Sequence, residues 1–210
     1  MSFPVFPNAQ KGFPMKKLLI TGFDPFGGEQ INPSWEAVRL LPDKIGAFTL
    51  TKLQIPTVFD VAAQQVILQA EDINPHVILS IGQAGGRSAI TPEVVAINLR
   101  EAAIADNAGI LATGQHIDPE GPAAYFATVP VRDMVEKIRS RQLPANLSYS
   151  AGAFVCNDVL YTLLRKYSGT QTQVGFIHVP FLPQQAKEGV PSLPLEQIVS
   201  GLTAAIEALA

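Results

Sequence analysis

Cys156 is the single cysteine of this 210-residue chain. It follows the segment GAFV, where Gly152 supplies backbone freedom at what reads as a sharp corner into a helix. A thiol in the first turn of a helix sits among unpaired backbone N–H groups at the positive end of the helix dipole, where negative charge on sulfur is stabilised. Free cysteine is commonly a small buried hydrophobe, so it is the position and not the residue type that points to chemistry. A nucleophilic thiol needs a base, and the chain holds three histidines, His76, His116 and His178. His76 opens an apolar run, His116 lies in a polar stretch, and His178 ends the run QVGFIHV just before Pro180. A carboxylate must then orient the imidazole and stabilise its cation. Asp24, Glu93, Asp106 and Asp118 are candidates. Glu93 stands apart because it is embedded in ITPEVVAIN, where a lone charge is costly unless paired.

These groups need strands and helices to bring them together. KLLITG (17–22) and HVILSIG (76–82) are short apolar runs ending in glycine, the form of strands buried on both faces of a parallel sheet. Asn32 and Pro33 read as N-cap and first residue of a helix carrying Trp35, Val38 and Leu41, which stops near Pro42. Residues 47–55 read as a strand. Thr57 is expected to cap a long helix with Val58, Val61, Ala62, Val66 and Ile67 on one stripe, barred from continuing by Pro75. Residues 90–104 are rich enough in β-branched side chains to be extended, and the run DNAGILATGQHIDPEG marks a long functional loop. Helices follow over 131–141, 155–167 and 194–209, with strands over 147–151 and 173–179. The alternation predicts a three-layer α/β/α sandwich with a largely parallel sheet, whose ligands bind outside the carboxyl ends of the strands. That placement favours His178 over His76 as the partner of Cys156.

Composition narrows the function. Hydrophobic residues make up 47% and charged residues 16%, and the net charge is −3. There is no basic footprint for nucleic acid or an anionic membrane surface. No apolar run reaches the roughly 18–20 residues of a membrane helix, so a soluble protein is expected, with one domain over 15–210. Residues 1–14 lack the pattern of a signal peptide and read as a disordered extension or an appended leader. The low charge fraction also fits surface buried between subunits.

The motifs TGFDPFGGEQINPSWEAV, IGQAGGRSAITPEVVAIN, DNAG, GPAAYF, AGAFVCN and GFIHVPFLPQQ, in that order and spacing, resemble the pyroglutamyl peptidase type I family of cysteine peptidases. The resemblance runs from Met15 to about Leu209. It implies a Cys–His–Glu triad at Cys156, His178 and Glu93, the residues that placement also favours. It further implies removal of an N-terminal pyroglutamyl residue from peptides, a cytoplasmic homotetramer, and no metal or cofactor. Pyroglutamate is a flat neutral lactam with two faces, one N–H and a ring carbonyl, and suits a pocket with aromatic walls and few polar groups. Phe23, Phe26 and Phe154 match the family's ring-binding wall, with Phe26 and Phe154 expected to sandwich the lactam; Asn32, Gln83, Ile104 and Val155 match further binding positions.

Two features stand outside that pattern. Where relatives read EARIPDN, with an arginine assigned to the oxyanion, this chain reads EAAIADN and carries Ala103. Arg100 is not expected to substitute, because an odd separation along an extended segment puts it on the opposite face. A homologue that binds pyroglutamyl peptides but turns them over poorly is therefore the alternative reading. Arg87, beside Gly85 and Gly86, reads either as an anion clamp, as a phosphorylase on this scaffold would need, or as a structural ion pair.

Overall fold

The computed structural model describes residues 15–209, so the reading of residues 1–14 lies outside the described part. Its elements in chain order are β1 (Lys16–Phe23), α1 (Pro33–Leu40), β2 (Lys44–Ile45), β3 (Phe48–Ile55), α2 (Val61–Ile73), β4 (Val77–Gln83), β5 (Thr91–Pro92), β6 (Val95–Ile97), β7 (Ala124–Phe126), α3 (Val131–Ser140), α4 (Val155–Lys166), β8 (Gln173–Val179) and α5 (Leu195–Glu207). The six-stranded sheet has the order β2-β3-β1-β4-β8-β5. Its four long strands β3, β1, β4 and β8 run parallel, and the two-residue strands β2 and β5 close the edges antiparallel.

The expected three-layer α/β/α architecture is present. Alternate residues of each central strand face opposite layers. Leu18, Ile20, Leu79 and Ile177 pack with α1, α3 and α5, whereas Leu19, Phe23, Ile78 and Phe176 pack with α2 and α4. From β1 the chain steps outward to β3, then returns past β1 to β4 and later β8. The winding reverses between β1 and β4, and a crevice is expected outside their carboxyl ends, at Phe23 and Gln83.

Asn32 caps α1 as expected, its Oδ1 accepting from the Ser34 N–H at 3.0 Å, with Pro33 first in the helix. Three other expectations change. Thr57 does not cap α2. Its N–H and hydroxyl both donate to Asp24 Oδ1, at 2.7 and 2.8 Å, and the helix starts four residues later after Asp60. Val58 and Val61 thereby leave the buried stripe, which consists of Ala62, Ala63, Val66, Ile67 and Ala70. Residues 147–151 are no strand. Only single bridges tie Ser148 to Glu93 and Ala145 to Ile90, because this segment follows the irregular 90–93 edge and not a full strand. The 90–104 stretch is extended but broken into β5, β6 and bridges, and β6 pairs with β7, a strand the apolar pattern did not reveal. No helix among the described residues is long and apolar enough to cross a membrane.

Candidate active site

Cys156 is the second residue of α4, after the N-cap Phe154, and Gly152 turns the corner at φ +78°. The Ala153 carbonyl accepts from the Glu101 N–H at 2.9 Å, tying the corner to the loop that carries Ala103 and Ile104. Asn157, the next residue of α4, accepts from the Ile97 N–H at 2.9 Å and donates through Nδ2 to the Ile97 and Leu99 carbonyls at 2.8 and 3.1 Å. One amide side chain thus takes three backbone groups of the 97–99 segment and fixes it against the start of α4.

His178 lies near the carboxyl end of β8, buried, and its register partner on β4 is Gly82. A Cβ on Gly82 would stand 2.9 Å from Cys156 Sγ and 2.7 Å from the Phe176 ring. The absent side chain leaves the space in which the sulfur lies against β4, beside the strand carrying the imidazole. Glu93 completes the line. Its backbone N–H donates to the Phe176 carbonyl at 2.9 Å. Its Oε1 is 2.7 Å from His178 Nδ1 in a fully buried pair. An ionised carboxylate only accepts, so Nδ1 carries the proton and Nε2 is left free. His76 instead accepts through Nδ1 from the Lys17 N–H at the amino end of β1, far along the strands from this site.

The electrostatics fit a neutral thiol–imidazole resting state beside a charged carboxylate. Burial pushes Glu93 toward protonation, but its hydrogen bond to His178 and the neighbouring Arg87 cation outweigh it and hold the carboxyl below its usual range. Burial pushes His178 down, opposed by Glu93 and aided by the Arg87 cation. The Cys156 thiol is pushed up to about 12, mainly by burial and then by the Glu93 charge. Arg87 is no free anion clamp. Its Nη1 donates to Glu93 Oε1 at 2.8 Å and to Thr91 Oγ1 at 2.5 Å, and its Nη2 to the Ser150 carbonyl at 2.9 Å.

The aromatic positions divide. Phe26 and Phe154, both partly exposed, face one another with ring centroids 5.9 Å apart and planes at 42°, and Phe59 meets Phe154 edge-on at 5.4 Å. A flat ring between two others needs about 3.5 Å on each side, or roughly 7 Å between the outer rings. The Phe26–Phe154 slot must therefore widen by about 1 Å to admit a lactam. Phe26 leads into Gly27 and Gly28, at φ +64° and +86°, a turn that ordinary side chains resist. Ile104 Cδ1 comes within 3.7 Å of where a Gly27 Cβ would be, so the exposed Ile104 flanks the same turn.

Phe23 and Val155 are core residues, 1% and 0% exposed, and Phe23 packs on Phe176 beneath the slot. Asn32, 2% exposed, has its side chain engaged by Ser34 and by the Asp24 carbonyl, to which Nδ2 donates at 2.9 Å. Gln83 is partly exposed at the end of β4, and its Oε1 accepts from Gln185 Nε2 at 3.1 Å. Asp24 and Asp106 are loop braces: Asp24 Oδ1 also accepts from Asn107 Nδ2, and Asp106 carboxylate oxygens accept from the N–H groups of Phe59, Ala108 and Ile110. Arg100 is engaged in an ion-pair cluster with Asp60 and the buried Asp158, and the extended register expected between it and Ala103 is absent, because the chain leaves the Arg100–Gln115 bridge and bends at residues 103–104. A cavity of about 450 Å³ lined by Tyr125, Phe126, Tyr167 and Gln173 lies at the amino end of β8 and holds none of the thiol, imidazole and carboxylate. Asn157, Gln185 and Thr91 were not foreseen; only the position of Asn157 beside the cysteine could have drawn attention.

Comparison with known proteins places the geometry in context. A family model described as pyroglutamyl peptidase matches residues 16–210. A pyrrolidone-carboxylate peptidase of Levilactobacillus brevis is 53% identical over 197 residues, covering 92% of this chain and 97% of the relative. One from Staphylococcus saprophyticus is 48% identical, covering 92% of each. Among solved structures, pyroglutamyl peptidase I from Bacillus amyloliquefaciens superimposes with a TM-score of 0.90 at 45% identity, covering 93% of this chain and 96% of that one. The pyrrolidone carboxyl peptidase of Thermococcus litoralis gives 0.88 at 35% identity, covering 93% of each chain.

Proposed function

The chain belongs to the pyroglutamyl peptidase family, and we propose that it removes N-terminal pyroglutamyl residues from peptides with Cys156 as nucleophile, His178 as base and acid, and Glu93 as orienting carboxylate. The observation that carries this assignment is the buried 2.7 Å Glu93–His178 pair beside Gly82, against which the Cys156 sulfur packs. Substrate binding opens the Phe26–Phe154 slot around the lactam. Ile104 closes one side, Gln83 supplies polar contact, and Phe23, Asn32 and Val155 shape the wall behind.

With the thiol protonated and the imidazole neutral at rest, the proton passes from Sγ to His178 Nε2 as sulfur attacks the carbonyl joining pyroglutamate to the next residue. Charge on the resulting oxyanion meets the backbone N–H of Cys156 in the first turn of α4. The imidazolium, stabilised by Glu93, then protonates the leaving amine, and a thioester remains. His178 activates water, the thioester is hydrolysed, and free pyroglutamate departs.

Hydrolysis of a chromogenic pyroglutamyl amide, with and without a thiol alkylator, tests the assignment. Loss of activity on alkylation, and in Cys156→Ser and Cys156→Ala, is expected. Since Cys156 is the only thiol, retained activity in any of the three refutes it as nucleophile. A second reading rests on Ala103, which puts a methyl group where the family resemblance implies an arginine: a homologue that binds such peptides and turns them over slowly. Stoichiometric binding without turnover would favour it. With the hydrolase reading we propose a cytoplasmic homotetramer, as the family resemblance implies; the exposed Phe126, Leu68 and Tyr149 and the low charge fraction support subunit contacts, and light scattering measures the assembly.

A further inference from the structure

We propose that Arg87 is the positioning residue of this site, closing a ring of hydrogen bonds that fixes His178 both through its side chain and through its backbone. This inference rests on the assignment of Cys156, His178 and Glu93 above. One guanidinium nitrogen, Nη1, donates to Glu93 Oε1 and to Thr91 Oγ1, at 2.8 and 2.5 Å. Glu93 Oε1 also takes His178 Nδ1 at 2.7 Å, while the Thr91 hydroxyl donates to the His178 carbonyl at 3.4 Å. Thr91 and His178 are register partners across β5 and β8, so both routes from the arginine end on one residue. The second nitrogen, Nη2, donates to the Ser150 carbonyl and anchors the guanidinium to the segment entering the nucleophile corner.

The two oxygens of Glu93 are not equivalent. Oε1 takes both His178 and Arg87, whereas the buried Oε2 has no hydrogen-bond partner, the neighbouring Ser148 hydroxyl being turned to the Ser150 carbonyl at 3.2 Å. A fully buried carboxylate with one free oxygen is able to rotate and present either oxygen to the imidazole. The planar guanidinium fork, fixed on Ser150 and Thr91, selects one of these orientations. The arginine is partly exposed and lines a cavity of about 430 Å³ with Thr91 and Tyr149, so it carries its charge in contact with solvent while the carboxylate stays dry. The charged and titratable groups facing the imidazole are Glu93 from the β5–β6 segment, Arg87 from the turn after β4, and Cys156 from α4 across Gly82.

The test is the pH dependence of kcat and kcat/KM for a pyroglutamyl amide in Arg87→Met, Arg87→Lys and Glu93→Gln, with thermal unfolding of each. Removing the cation leaves the imidazole under the Glu93 charge alone. Its proton is then held to higher pH, and the acid limb of kcat/KM moves up by about one pH unit. In Arg87→Met kcat falls about 10- to 100-fold with KM nearly unchanged, the scale of a lost hydrogen bond to a charged group. Lysine keeps the charge but not the fork, so Arg87→Lys keeps the acid limb in place and loses several-fold in kcat. An Arg87→Met enzyme with unshifted limb and normal kcat overturns the proposal, as does a drop in unfolding temperature without a shifted limb. If Arg87→Met does not fold, a folded Arg87→Lys with unreduced kcat overturns it equally. Full activity in Glu93→Gln refutes the triad itself. An inactive Glu93→Gln beside an unperturbed Arg87→Met refutes only the role of the arginine.

Discussion

Gly82→Ala separates the packing argument for the nucleophile from its chemical identity. The backbone at Gly82 is ordinary strand, so alanine carries no conformational penalty there and by chain entropy alone would stabilise by about 0.4–1 kcal/mol. The effect is steric. The added methyl would stand 2.9 Å from Cys156 Sγ and 2.7 and 2.8 Å from two Phe176 ring atoms, inside the normal contact range of about 3.5–4.0 Å. Relieving that overlap moves the sulfur, the ring or the helix start by about 0.6–1 Å. Overpacking of this kind costs about 1–3 kcal/mol, and at about 2–4 °C per kcal/mol for a chain of this size it lowers the unfolding temperature by about 2–12 °C. A nucleophile displaced by close to an ångström loses on the order of 10²-fold in turnover. The amide assay should therefore show kcat down about 10- to 100-fold with KM close to normal, because Phe26 and Phe154 are not touched. Wild-type kcat together with wild-type unfolding temperature would mean that the thiol does not lie against β4, and the mechanism built on that contact would fall.

Restoring the arginine, Ala103→Arg, should raise kcat at least tenfold toward the 10² to 10³ that an oxyanion donor contributes; no gain in a folded variant would show that Ala103 does not limit turnover. Phe26→Ala should raise KM about 10-fold with little loss of stability, whereas Phe154→Ala, which also removes the edge contact with Phe59, should raise KM and lower the unfolding temperature; equal KM in both variants and wild type would exclude the aromatic slot. The partly exposed Cys156 thiol is raised to about 12, mainly by burial and then by the Glu93 charge, so its neutral form favours the folded state below pH 9 and that advantage is lost as pH rises toward 12. Urea unfolding of wild type and Cys156→Ala should therefore converge with rising pH, since Tyr161 and Tyr167, raised by burial in both, cancel in the comparison; parallel curves would refute a thiol held neutral in the fold.

What the sequence disclosed and what it hid follow one physical line. The long parallel strands are apolar on both faces, so their hydrophobic runs are readable without knowing their neighbours, and β1, β4 and β8 fall where the runs do. Glu93 is legible for the converse reason: a carboxylate among apolar residues must have a partner. The parts that orient the site are different in kind. Arg87, Thr91, Asn157 and Gln185 act through individual hydrogen bonds to residues from 3 to 156 positions away, and no periodicity records such a bond. Thr57 shows the same limit from the other side. A threonine ahead of an apolar stripe is a sound cap by local rules, yet Asp24, 33 residues earlier, takes both its donors, and α2 starts only after Asp60. Asp60 itself is held at φ +60° by Arg100 and by its N–H bond to Asp158 Oδ2 at 3.2 Å. The residues proposed to do the chemistry are thus marked by type and element, while those that hold them in register are marked only by their contacts. Sequence reading alone therefore proposes a triad more readily than the scaffold that would align it, and departures such as Ala103 have to be weighed against geometry before they are read as loss of function.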